Sequence, residues 1–125
     1  MRKILIPIIF LLLPTTSYAA GSFDGIYSFN FNGVLNGYAS IHEDDANNMI
    51  AVLLDPDPGD SNWEAISGVR NGNDVTLRSI PGAGTVSLDV SVSFVDSNTG
   101  TVTINSCVGD CDLPNGTVLD VNRIF

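Results

Sequence analysis

The feature that most limits the fold is a rhythm of interruption. Gly, Asn, Asp and Ser punctuate the chain about every 8 to 12 residues, and no long stretch keeps a helical period. Between the interruptions lie short runs rich in Val, Ile, Leu and Phe. That pattern belongs to an antiparallel all-β domain. Eight candidate strands follow: Phe23–Phe31, Val34–His42, Asn48–Leu54, Trp63–Arg70, Val75–Ile80, Thr85–Val95, Thr101–Ser106 and Thr117–Phe125. The sixth is the clearest. Val86, Leu88, Val90, Val92 and Phe94 alternate with Ser87, Asp89, Ser91 and Ser93, which buries one face and wets the other.

Registers can be written from the same alternation, because a one-residue slip exchanges the two faces. A turn over Pro81–Gly84 sets Leu77 opposite Leu88 and Val75 opposite Val90. A turn over Asp96–Gly100 sets Phe94 opposite Val102 and Val92 opposite Ile104. Asn71-Gly72-Asn73 sets Val69 opposite Val75 and Ser67 opposite Leu77. For the first hairpin, Asn32-Gly33 suits a two-residue turn. A three-residue connection is preferred, since it lays Phe29 over Gly37 and Tyr27 over Ala39, an aromatic covering a strand glycine. Short connections make sequential strands neighbours, and a meander that closes on itself removes both exposed edges. The expected fold is a small eight-stranded antiparallel up-and-down barrel, with a two-sheet β-sandwich as the alternative.

The start of the chain reads as an export signal. Met1-Arg2-Lys3 is basic, Ile4 to Leu13 is an apolar run, and Ser17-Tyr18-Ala19 supplies small residues for cleavage. The run is half the roughly twenty residues of a spanning helix. Residues 1–19 are therefore expected to be a signal peptide and 20–125 a single barrel domain, periplasmic or secreted and of bacterial type. In that setting Cys107 and Cys111, the only cysteines, are expected to form a disulfide.

Charge narrows the chemistry. The chain carries 14 acidic and 5 basic residues, a formal net charge of −9. Without Arg2 and Lys3, three arginines face all 14 acids, giving −11. Such a chain will not follow a phosphate backbone or an anionic membrane surface, so no nucleic acid is expected as a partner. No lysine remains for a Schiff base. His42 is the only histidine, enters the acidic turn Glu43-Asp44-Asp45, and has no Gly-x-Ser-x-Gly elbow to serve. Asp55-Pro56-Asp57-Pro58-Gly59-Asp60, with Glu64 downstream, hints at a calcium loop. Its glycine falls one position early for an EF-hand, however, and two prolines with a glycine suffice as a turn. Whether Asp55, Asp57 and Asp60 bind calcium is left open, and no metal or cofactor is assigned. Arg78 is expected on a wet face beside Asp89.

Arg123 is the most informative cation. On the last strand, Leu119, Val121, Arg123 and Phe125 form the more apolar face, expected to point inward with the arginine among them. Gly25-Ile26-Tyr27 opens the first strand. Together these segments resemble the calycin pattern of lipocalins and their relatives. There a Gly-x-aromatic on the first strand meets a last-strand arginine packed across the ring, usually with Trp where this chain has Tyr27. The resemblance implies barrel closure and a small apolar ligand in the barrel mouth. The terminal Arg-Ile-Phe also resembles the end of an outer-membrane barrel, but one Trp and two Tyr after the signal are too few for aromatic girdles.

The expected function is an exported, non-enzymatic barrel that binds a small apolar or carboxylate ligand, or a protein partner. The expected inner face mixes Tyr27, Phe29, Phe31 and Trp63 with Gly37, Ala39, Ala65 and Ser67. Tyr27, Trp63 and Arg123 are the candidate ligand-binding residues, with Arg123 suited to a carboxylate. The alternatives are a barrel enzyme of isomerase or cyclase type, which needs a buried titratable group in a cleft, and a small outer-membrane barrel.

Overall fold

Strands with one dry and one wet side must curl to hide the dry side. The computed structural model, which describes residues 22–31, 35–55, 62–111 and 113–125, shows the chain doing so. Its strands are β1 (Gly25–Phe31), β2 (Leu35–Glu43), β3 (Asn48–Asp55), β4 (Asn62–Asn71), β5 (Asp74–Ser79), β6 (Ser87–Phe94), β7 (Thr99–Val108) and β8 (Val118–Arg123). They form a closed antiparallel barrel in chain order, sealed by β1 against β8. Among the described residues there is no helix. The up-and-down barrel is thus the fold, and the sandwich is set aside.

The first hairpin takes the expected three-residue register, with Phe29 opposite Gly37 and Tyr27 opposite Ala39. A Cβ at Gly37 would collide with the Phe29 ring, so glycine is what lets that ring lie flat against β2. Leu119 and Val121 face inward as expected, whereas Phe125 lies past the end of β8 and is exposed. Arg78 pairs with Asp89 on the outer surface at 2.7 Å.

Three registers differ from expectation, for identifiable reasons. Leu77 pairs with Val90 and Val75 with Val92, two residues from the expected partners. Glu64 accepts the amide hydrogens of Thr85 and Val86, which takes both residues out of the ladder and lengthens the connection. Phe94 pairs with Gly100 and Val92 with Val102. Here Asp96 caps the amides of Asn98 and Thr99, so the turn closes earlier. Both shifts are even and leave each side chain on its expected face. The β4–β5 shift is odd. Gly72-Asn73 makes a two-residue turn, which pairs Asn71 with Asp74 and Arg70 with Val75. Glu64, Ile66, Gly68 and Arg70 therefore form the inward row of β4, while Trp63, Ser67 and Val69 face out. The expected inward placement of Trp63 and Ser67 is corrected, and Ala65 is buried on the outward side.

The two ends of the barrel differ. At one end Phe23 is buried, its ring 4.3 Å from that of Phe94, with Arg70 Cζ 4.7 Å from the Phe23 ring centroid. Arg70 Nε donates to Glu43 Oε1 at 2.5 Å, and Nη2 donates to Asn47 Oδ1 at 3.0 Å. Tyr27, fully buried, donates from its hydroxyl to Ser97 O at 2.8 Å, with Phe23 O at 3.1 Å. This end is plugged. The connections after β5 and β7 lie at the opposite end, with the last residue of β3 and the first of β4.

The outer surface is polar over β5 to β8. Thr76, Arg78, Asp89, Ser91, Ser93, Thr101, Thr103, Asp120 and Asn122 lie there.

Candidate functional site

Inside the barrel the large side chains do not meet across the axis. A cavity of about 190 Å³ runs from the plugged end toward the other. Its floor is the Tyr27 ring and Phe94. The walls include Ile66, Leu77, Val90, Val92, Ile104 and Leu119. The space exists because β2 and β3 contribute Ala39 and Ala51 at wall positions where longer side chains would fill it. An eight-stranded barrel is the size at which such substitutions decide between a filled interior and a hollow one.

The mouth has a different character. Asp55 ends β3, Glu64 lies near the start of β4, and Asp110 sits in the loop after β7; all three line the cavity. Cys107 and Cys111 are disulfide-bonded, and both line the mouth with Leu113. A bulge between Asp89 and Val90 shifts the β6–β7 register so that Cys107 pairs with Leu88, which turns the disulfide toward the interior.

Glu64 is the most informative residue of the site. It is the buried charged residue of the cavity lining, at 8% exposure. Its Oε1 accepts from Thr85 N at 2.6 Å, Val86 N at 2.9 Å and Thr85 Oγ1 at 3.1 Å. Its Oε2 is buried and has no hydrogen-bond partner. Such an atom carries a desolvation cost that a ligand donor would relieve. The carboxylate fits because Gly84, at φ +136°, leaves the space a Cβ would take.

Of the three residues singled out from the sequence, Tyr27 and Arg123 are ladder partners and Trp63 lies apart from both; only Tyr27 lines the cavity. Tyr27 contributes its ring to the floor, but its hydroxyl is spent on backbone carbonyls at the plugged end. Burial raises its pKa above the ordinary tyrosine value, partly opposed by Arg123 and reinforced by Asp24, Asp96 and Glu43. Trp63 is 52% exposed on the outer surface, beside its ladder partner Leu54, and does not line the cavity. Arg123 pairs with Tyr27 in the β8–β1 ladder, lies against Gly25, and donates from Nε to Phe125 O at 3.1 Å. It too is outside the cavity lining. The cation stacked on an aromatic ring among the described residues is Arg70 on Phe23.

His42 is exposed on the outer face, with Ser40 Oγ 3.1 Å from its Nε2. Asp57 and Asp60 of the acidic loop lie outside the described residues. Sequence reasoning missed Glu64 and Asp110 as mouth residues. The signal that finds Glu64 is Gly72-Asn73, because a two-residue turn there fixes which row of β4 faces inward. Comparison with protein-family models, with curated proteins and with solved structures finds no match to this chain.

Proposed function

We propose that this protein is an exported barrel of calycin-like design that binds a small, mainly apolar molecule without transforming it. The observation that carries the reading is the apolar hollow of about 190 Å³ with a plugged floor. A dry cavity of roughly 150 Å³ is enough to hold benzene. The ligand is therefore the size of a single ring or a short alkyl chain. Gly25-Ile26-Tyr27 on β1 and Arg123 on β8, joined by their ladder, support the calycin likeness. Export rests on the basic start, the apolar run and Ser17-Tyr18-Ala19. A carboxylate ligand is not supported, since Arg123 lies outside the lining and Asp55, Glu64 and Asp110 lie within it.

The test is calorimetric titration with toluene and n-hexanol. Binding is expected in the wild type and absent from Ala51→Leu, which places a larger side chain in the hollow while keeping a cooperative melt. Equal binding by both proteins would place the ligand elsewhere. A second reading, a barrel isomerase or cyclase, is favoured by one observation: Glu64 is a buried titratable group at a cavity. Turnover of a bound ligand that is lost in Glu64→Gln, with affinity retained, would favour it over simple binding.

A further inference from the structure

We infer that the cavity prefers a ligand whose apolar body ends in an ammonium group, held at the mouth by Glu64. This rests on the binding reading above and adds the chemistry of the head group. Three observations converge. The floor and walls are hydrocarbon and accept only an apolar body. The charged residues lining the mouth are Asp55, Glu64 and Asp110, with no arginine, lysine or histidine in the described lining. Glu64 is more than nine-tenths buried, and its Oε2 has no hydrogen-bond partner.

These facts select the head group by elimination. A carboxylate or phosphate would meet three carboxylates. A hydroxyl supplies one donor to Oε2 and carries no charge of its own to set against the rim. An ammonium supplies several donors and a charge opposite to the rim, so its hydrogen bond is also an ion pair, where a hydroxyl's is assisted by the carboxylate's charge alone. Glu64 is also held ready. Thr85 and Val86 fix Oε1 from one side and Oε2 lies against Gly84 beneath the loop, so the position of the carboxylate is set before a ligand arrives. The chain's net charge of −9 draws cations toward the molecule as a whole.

The experiment compares three probes of one chain length, n-hexylammonium, n-hexanol and n-hexanoate, by isothermal titration calorimetry at neutral pH and low salt. Hexylammonium is expected to bind about tenfold tighter than hexanol, with hexanoate weakest. Glu64→Gln is expected to remove most of that preference and leave the hexanol affinity within about twofold. Asp110→Asn, at an exposed rim position, should narrow the preference by a smaller factor. If hexanol binds as tightly as hexylammonium, or hexanoate binds tightest, the head-group inference is wrong and the apolar-cavity reading stands. If none of the three binds, both fail. Should Glu64→Gln not melt cooperatively, the wild-type series and Asp110→Asn still decide the matter.

Discussion

The carboxylate of Glu64 occupies the position a Cβ on Gly84 would need. One residue's missing side chain is thus the seat of the other's charge. At φ +136° an L side chain is strained as well as crowded. Gly84→Ala is expected to destabilise the protein by about 2–3 kcal/mol in urea unfolding. Part of that cost should vanish in the double variant Glu64→Ala/Gly84→Ala, leaving the backbone strain alone. Additive losses would mean the two residues are not coupled.

The plug at the other end depends on one ion pair. Glu43 keeps only 2% of its side chain exposed, and Arg70 keeps 16%. Arg70→Leu would leave the Glu43 carboxylate buried without its cation, at a cost of about 3 kcal/mol. Arg70→Lys should lose less but still lower the unfolding midpoint, because lysine cannot at once donate to Glu43 and Asn47 and stack on Phe23. A midpoint unchanged in Arg70→Leu would show the plug to be held by Phe23 alone.

Tyr27 predicts the alkaline behaviour. Its pKa is raised in the folded state, chiefly by burial, so the folded protein keeps this proton when the unfolded chain has begun to lose it. The stability it contributes is whole below about pH 10 and is lost as pH rises through the higher folded value. Melting temperature should therefore fall above about pH 10 in the wild type, and the fall should flatten in Tyr27→Phe. Tyr27→Phe should also cost about 1 kcal/mol at neutral pH through the lost hydroxyl bond.

The disulfide closes a short ring at the mouth. Replacing Cys107 and Cys111 by serine is expected to cost about 2 kcal/mol on the loop-entropy account. Because both cysteines line the cavity, the same variant should also weaken binding of an apolar probe. Urea titration and calorimetry on one sample check both effects.

Much of the barrel was legible in the residues. Alternation in Leu88–Phe94 gave the face of β6, Phe29 over Gly37 gave the β1–β2 register, and Leu119 with Val121 gave the inward row of β8. The two-residue shifts beside β6 were not legible, since they come from Glu64 and Asp96 binding amides in the turns. Even shifts do no harm to the pattern. The odd one does. In β4 the row Trp63, Ala65, Val69 is more apolar than the row Glu64, Ile66, Arg70, and apolar content pointed to the wrong row. That single parity error hid both Glu64 at the mouth and Arg70 in the plug. The hollow itself is a property of the closed ring, since Ala39 and Ala51 leave space only if nothing crosses the axis to fill it.

The closure of β1 on β8 has a kinetic meaning. Every other ladder joins strands consecutive in the chain, and each can zip from its own turn. The last ladder brings together residues nearly a whole domain apart, Tyr27 with Arg123 among them. Until it forms, the molecule is a curled open sheet with two bare edges and an uncovered apolar concavity. The speed of that one seam therefore sets how long a nascent chain stays open to pairing with its neighbours.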